Sequence, residues 1–196
     1  MEKKIEVERK RRLPDGGEGL VRVLEAAGWY AAGPVTETDV YYSRPDVDYM
    51  ETVECLRVRS RGDFAEITYK PSTTGLTHSS DDVISKEETN VALADVGQAL
   101  SANRLMESIG MRRLARVKKN RTVFRHPDQP AVVVAIDVVA GVGTFVETEV
   151  IGLEAAVAAK LVERTETALG VSDHPTVDLP YRDLVLAAAA EAGVAS

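Results

Sequence analysis

The sequence predicts an α+β protein, an eight-stranded antiparallel β-barrel with three or four helices packed outside it. Three observations predict this. Segments of period-two alternation recur along the whole chain, whereas helical periodicity is confined to a few stretches between them. Short turns containing Gly, Asp or Pro separate neighbouring strands, as antiparallel hairpins require. At least four strands carry charged residues at every second position, and faces that densely charged are accommodated when the sheet curls and turns them inward together.

Residues 3–13 open the pattern. Ile5, Val7 and Arg9 alternate with Glu6, Glu8 and Lys10, which reads as a strand. Residues 14–17 form a turn, and 19–28 a short helix with Leu20, Val23, Leu24 and Ala27 at helical spacing and Gly28 at its end. A second strand spans 37–42, with Tyr41 and Tyr42 on opposite faces, and 44–47 breaks it. Residues 53–61 alternate again, placing Arg57, Arg59 and Arg61 opposite Leu56 and Val58. Gly62-Asp63 then turns the chain into a hairpin partner at 64–70.

The Ser/Thr-rich stretch 71–80 reads as a loop, with a lid as its functional alternative. Residues 83–90 form a strand and 91–109 a helix with a stripe of Leu93, Val96, Leu100, Leu105 and Ile109, ended by Gly110. Strands follow at 113–124, 132–139 and 144–151, with turns at 128–130 and 141–143. A helix at 153–169, an irregular stretch at 174–180 and a terminal helix at 181–192 complete the chain. No linker divides it, so a single domain over 1–196 is expected, with its core at about residues 3–185.

Composition narrows the function. The 196 residues are 44% hydrophobic, enough for a core, and carry 24 basic against 31 acidic side chains. A net charge of -7 argues against a nucleic-acid-coating surface. One cysteine, Cys55, excludes a disulfide framework, and without a partner histidine it is a poor nucleophile. His78, His126 and His174 lack metal-ligand spacing, and no GxxxxGK[ST] loop occurs. The polar start Met1 to Lys4 predicts no signal peptide, and no apolar run reaches the roughly 18 residues of a membrane span. A cytoplasmic protein without a membrane or nucleic-acid partner is expected, and outer apolar patches point to a homodimer.

The charged faces carry the chemistry. Glu6, Glu8 and Lys10 share one face, as do Arg57, Arg59 and Arg61, Lys119 and Arg121, and Glu147 and Glu149. Lys70 and Lys86 add to the set, and Asp137 sits among valines. An interior lined by both signs needs a partner that satisfies both. A polyphosphate with a divalent metal does so, since Arg and Lys pair with phosphoryl oxygens while carboxylates hold Mg2+ or Mn2+. Left dry and unpaired, these charges would be prohibitive. Arg61, beside a turn, is expected at the surface, and Lys118 outside.

The same residues resemble a known family. Glu6-Val7-Glu8-Arg9-Lys10 matches the ExExK signature of the CYTH superfamily, the triphosphate tunnel metalloenzymes. Thr38-Asp39-Val40-Tyr41-Tyr42, Leu56-Arg57-Val58-Arg59, Thr68-Tyr69-Lys70 and Lys119-Asn120-Arg121 resemble its later motifs in order. The hairpin from Asp137 to Glu149 and the segment Pro180-Tyr181-Arg182-Asp183-Leu184 resemble the branch of class IV adenylyl cyclases and thiamine triphosphatase-like proteins.

The resemblance implies an eight-stranded tunnel in which Glu6, Glu8 and Glu149 hold divalent cation, with Glu147 nearby and Asp137 a further inward acid. It implies that Lys10, Arg57, Arg59, Lys70, Lys119 and Arg121 grip the triphosphate. Lys86 and Glu88 fit the family's strand of one basic residue followed by glutamates, Lys86 joining the grip and Glu88 the carboxylates, whereas Asn90 replaces a second glutamate. The implied partner is a triphosphate-containing small molecule. The implied activity is a cyclase-like conversion of ATP to cyclic AMP and pyrophosphate. Hydrolysis of tripolyphosphate, thiamine triphosphate or a nucleoside triphosphate is the alternative, and a non-catalytic polyphosphate or nucleotide module the second. Lys10 and Tyr41 are the candidates for a general base.

Overall fold

The structure, a computed structural model, describes residues 6–72, 84–86, 88–152 and 154–193. Residues 73–80 of the expected loop and the Lys86 side chain lie outside the described set. The strands are β1 (Glu6–Leu13), β2 (Tyr30–Ser43), β3 (Cys55–Arg61), β4 (Phe64–Lys70), β5 (Ile84–Lys86), β6 (Thr89–Ala92), β7 (Arg112–Arg125), β8 (Val132–Val139) and β9 (Gly143–Ile151). The helices are α1 (Glu18–Ala26), α2 (Gln98–Ser108), α3 (Ala155–Ala168) and α4 (Tyr181–Glu191).

All the strands join one antiparallel sheet in the order β5-β1-β9-β8-β7-β2-β3-β4-β6. Its two edge strands are neighbours in sequence. β5 pairs with β1 while β6 pairs with β4, so the short stretch 84–92 spans both edges and rolls the sheet into a tunnel. Taken as one interrupted strand, β5 and β6 complete the expected eight. The ladder itself does not close among the described residues.

Alternation dictates what each face meets. The outer residues of β1, β8 and β9, including Val7, Leu13, Val134, Ile136, Val146 and Val150, pack with Leu20 and Leu24 of α1 and Ala158 and Val162 of α3. On the opposite wall, Val40, Tyr42 and Val58 pack with Ala102 and Met106 of α2. Fully burying one such aliphatic side chain contributes about 1.5–3 kcal/mol, so these clusters drive the helices onto the sheet. Gly17, at φ 88, turns the chain into α1 where a Cβ would lie 3.0 Å from Ile136 Cγ2, so its place admits no side chain without movement.

Three elements differ from the sequence expectation. β2 begins at Tyr30 rather than at residue 37, continuing past a register shift between Ala31 and Pro34, where Gly33 has a φ of 86°. The helix expected from residue 91 starts at Gln98, because Asn90 and Val91 instead extend the sheet opposite Thr68 and Ile67. Its expected apolar stripe also lies largely outward. Leu100, Leu105 and Ile109 are exposed, while the smaller Ala102 with Met106 lets the helix sit close on β3. Finally, alternation in β3 begins at Cys55, since Val53 adopts a φ of 55°.

Polar groups fasten the outer layer too. Glu166 of α3 is fully buried and accepts from Arg9 Nη1 at 3.0 Å and Arg11 Nε at 2.9 Å. Arg11 Nη1 also donates to the carbonyls of Ser172 and His174. One carboxylate thus ties α3 and the chain after it to β1. Glu166→Ala should lower unfolding stability by about 3 kcal/mol, the lower end for breaking a buried charge pair. Urea unfolding followed by circular dichroism measures it, and a loss below about 1 kcal/mol would show that the backbone contacts alone hold the clamp.

Candidate active site: a charge-lined tunnel

The inward faces enclose a cavity of about 590 Å3. Ladder register explains its lining, because directly paired residues point to the same side. Glu8 stands opposite Glu149 and Lys10 opposite Glu147. Glu37 lies between Arg61 on β3 and Lys119 on β7, Asp39 opposite Arg59, and Arg121 opposite Asp137. Lys86 stands opposite Glu6 in the backbone ladder. Glu6, Glu8, Lys10, Arg57, Arg59, Lys70, Glu88, Lys119, Arg121, Glu147 and Glu149 therefore converge as expected, all lining the one cavity. Lys118 is exposed on the other face.

The cationic side is held in place by two acids that sequence reasoning left without a role, Glu37 and Asp39. Both are fully buried. Asp39 accepts two hydrogen bonds from Arg59, at 2.7 and 2.8 Å, a fork that fixes the guanidinium plane. Glu37 lies 3.4 Å from each of Arg59, Arg61 and Lys119. Burial alone would raise the Asp39 pKa, but the Arg59 and Arg57 charges outweigh it and hold the carboxyl well below the usual range. The signal for both acids was present, since they share the parity of Tyr41. Arg61, expected at the surface, bridges both readings. It lines the cavity beside Glu37 with 41% of its side chain exposed.

Arg57 is different. Its side chain is 12% exposed, yet its nearest carboxylates among the described residues, those of Asp39 and Glu88, are each 3.8 Å away. Its buried Nε has no hydrogen-bond partner among the described residues. A desolvated guanidinium with such loose partners is an acceptor-seeking group.

The acidic side has the complementary deficit. Burial and the neighbouring charge of Glu8 raise Glu149 to a pKa of about 7. Burial raises Glu6 to about 9. Lys70 opposes this, while Glu8, Glu88 and Glu149 reinforce it. Glu88, bonded to Glu6, is lowered to about 2, because Glu6, Lys70 and Arg57 outweigh its burial. Lys70 Nζ lies 3.4 Å from Glu6 and 3.0 Å from Glu88. Carboxylates pushed toward protonation by burial and like charge are oxygen ligands of the kind a hard divalent cation takes. Among the described residues no three acidic, His or Cys side chains are already gathered into a ready ligand set. Lys70 occupies the place between Glu6 and Glu88.

One end of the tunnel is covered by α4. Tyr181, its first residue, packs with Tyr41, Val117, Val139 and Phe145. Asp137, expected among the metal carboxylates, belongs to this floor. It is fully buried, and its Oδ2 accepts from Lys119 at 3.0 Å, Arg121 at 2.8 Å and Tyr181 at 3.0 Å. Three donors on one oxygen make it an anchor for cations. Arg121 also donates to Glu147 at 2.8 Å. Tyr41, expected as a general base, is buried beside Asp39. Burial and that negative charge raise its pKa, holding the phenol neutral. Cys55 stands opposite Lys70 on the inward face, and burial pushes its thiol up, away from nucleophilic thiolate.

The Asp39–Arg59 fork gives a pH signature. The folded pKa of Asp39 lies below its ordinary 3.8, so its stabilisation is present above about pH 4 and is lost as pH falls further. Asp39→Asn should cost about 3 kcal/mol at neutral pH and flatten the loss of stability between about pH 5 and pH 2. Denaturant titrations at several pH values measure both effects. A variant as acid-sensitive as the parent would show that other carboxylates govern acid unfolding.

Comparison with known proteins agrees with this geometry. A candidate adenylate cyclase of Methanocaldococcus jannaschii is 29% identical over 147 residues, covering 74% of this chain and 76% of that one. A Pyrococcus horikoshii structure superposes with a TM-score of 0.76 at 23% identity, covering 93% and 98% of the two chains. A Hippeastrum protein, a candidate adenylyl cyclase described as having a dominant triphosphatase activity, gives 0.63 at 18% identity, covering 90% of each chain. The CYTH domain model matches residues 4–178, and a charge-lined antiparallel tunnel with ExExK on its first strand is therefore what its sequence and fold together make it: this chain belongs to the CYTH domain family.

Proposed function

We propose that this chain is a divalent-metal-dependent enzyme acting on a triphosphate, with adenylyl cyclase-like conversion of ATP to cyclic AMP and pyrophosphate as its leading reaction. The observation that carries the reading is Arg57. It is a buried guanidinium with no carboxylate among the described residues closer than 3.8 Å, sharing a cavity with carboxylates whose burial and mutual charge raise Glu6 to about 9. A triphosphate satisfies the first need and a divalent cation the second.

On this reading Arg57, Arg59, Lys119 and Arg121 donate to phosphoryl oxygens, and Lys10 and Lys70 add positive charge. Glu6, Glu8 and Glu149, with Glu88 beside them, would hold the cation. Bound there, Mg2+ or Mn2+ neutralises charge on the phosphoryl oxygens. In cyclisation the ribose 3'-oxygen bonds to the α-phosphorus, its proton passing to water, and the bond from that phosphorus to the pyrophosphate oxygen breaks. The chain's part is to hold the phosphates in line and offset the charge that develops on the leaving oxygens. Val123, Val133 and Ile151, inward residues near the ends of β7, β8 and β9, give the cavity a carbon-lined edge suited to a nucleobase. Asp137 and Tyr41 have positioning roles in this scheme.

Hydrolysis is the second reading. The same grip serves water attacking the terminal phosphorus, and the Hippeastrum protein of this fold is described as having a dominant triphosphatase activity.

Incubation with ATP, thiamine triphosphate or tripolyphosphate in Mg2+ or Mn2+, with chromatography of the products, separates the readings. Cyclic AMP with pyrophosphate supports the first, and orthophosphate release the second. No turnover of any of them would overturn the enzymatic reading. Arg57→Ala should lower kcat/KM by about 100- to 1,000-fold, as for loss of a preorganised charge-stabilising donor. Mn2+ alone should raise the melting temperature, and Glu8→Gln should shrink that rise. An equal rise in the variant would place the cation elsewhere.

A further inference from the structure

We propose that Tyr181 is a positioning residue for the ammonium groups of Lys10 and Lys119. The inference rests on the reading of the tunnel as a triphosphate site. Lys10 lies on β1 and Lys119 on β7, strands separated in the sheet by β9 and β8. Both ammonium groups nevertheless meet the same ring. Lys10 Nζ is 4.4 Å from the Tyr181 centroid and Lys119 Nζ 4.9 Å. The ring is fixed in turn. Its hydroxyl donates to Asp137 at 3.0 Å, and its edge packs on Phe145 with centroids 5.3 Å apart.

The chain before α4 is built to place that ring. Arg12 N donates to Pro175 O and Val177 N donates to Lys10 O, so residues 175–177 lie along β1 beyond the segment paired with β5. Lys10 Nζ donates to Leu179 O at 2.6 Å. Beyond the ring, the fully buried Arg182 donates to the backbone carbonyls of Glu54 and Tyr49, anchoring the start of α4 to the approach to β3.

An aromatic face suits this task better than a carboxylate would. It attracts a cation through its quadrupole without neutralising it or saturating its N–H donors. Lys10 is thereby oriented with its charge available for phosphoryl oxygens, while Lys119 is held by the ring together with Asp137 at 3.0 Å and Glu37 at 3.4 Å. Asp137 cannot do this alone, because it already takes Arg121 and Lys119 on one oxygen.

The test compares Tyr181→Phe, which keeps the ring, with Tyr181→Leu and the longer, unbranched Tyr181→Met, which do not. Acylation of Lys10 in the ligand-free protein, followed by mass spectrometry, reports its freedom. Calorimetry with tripolyphosphate reports the grip, and melting temperature reports packing. Both non-aromatic variants should speed Lys10 acylation several-fold and weaken tripolyphosphate binding about tenfold, while the Phe variant stays within about twofold of the parent on both counts. In a Lys10→Met background the affinity loss from Tyr181→Leu should shrink. If the Phe variant falls as far as Leu and Met, or if those two lower only the melting temperature, the proposal is wrong. A parent protein that binds no tripolyphosphate would refute the functional reading, and unchanged Lys10 acylation would still refute the positioning role on its own.

Discussion

Charges of both signs enclosed in one largely buried interior must find partners, and this constraint organises the rest of the molecule. At an effective dielectric near 20, two unit charges 4 Å apart interact by about 4 kcal/mol, several times the roughly 1 kcal/mol of bulk water. The tunnel resolves the demand unevenly. Asp39 with Arg59, and Asp137 with Lys119 and Arg121, pair within the protein at 2.7–3.0 Å. Among the described residues, Arg57 and the Glu6–Glu8–Glu149 group are left with partners that are loose or of like charge. The first set is pre-positioned by its protein partners. The second is where a charged ligand gains most, because its binding cost has been met in advance by folding.

The fold follows from the same demand. A strand with charges inside must find its apolar burial outside, so helices have to cover the outer faces. α1 and α3 do so over β1, β8 and β9, and α2 over β2 and β3. β1 departs from the rule, since its outer residues Arg9 and Arg11 are charged as well. Glu166 resolves that conflict from α3. The inward face likewise departs from charge at one end, where Val117, Val139 and Phe145 would meet water if α4 did not lie over them.

Much of this was legible as alternation. Period two alone separated Arg57 and Arg59 from Val58, and Glu147 and Glu149 from Val146 and Val150, because a residue's face is a local property of a strand. What alternation does not carry is how completely a face is enclosed. Glu37 and Asp39 had the right parity but no mark distinguishing a buried acid from a solvated one. Asp137 looked like its neighbours in the acidic set until Lys119, Arg121 and Tyr181 were seen to converge on it. The α2 stripe failed for a related reason. Leu100, Leu105 and Ile109 had helical spacing, but close packing on β3 selected the small Ala102 instead. Tyr181 stood in the family-like segment 180–184, but its contacts lay beyond any local pattern, because its partners come from β1, β7, β8 and β9.

A grip made of charge does not choose which phosphorus reacts, since the phosphoryl groups of a triphosphate present nearly the same oxygens to Arg and Lys. The choice needs an asymmetry along the tunnel, and the two ends supply one. One end is occupied by Tyr181 and Phe145 beneath α4, with Lys10 and Lys119 drawn onto the ring. Elsewhere the wall ends in Val123, Val133 and Ile151 beside the exposed Arg125, a carbon surface inside an otherwise charged lining. On the triphosphate reading, an organic group loses least solvation against those carbons, which directs the terminal phosphate toward the lysines. Substrate choice then resides in a few apolar positions that contribute nothing to gripping phosphate. Relatives sharing the charged set could therefore differ in reaction while remaining alike in fold.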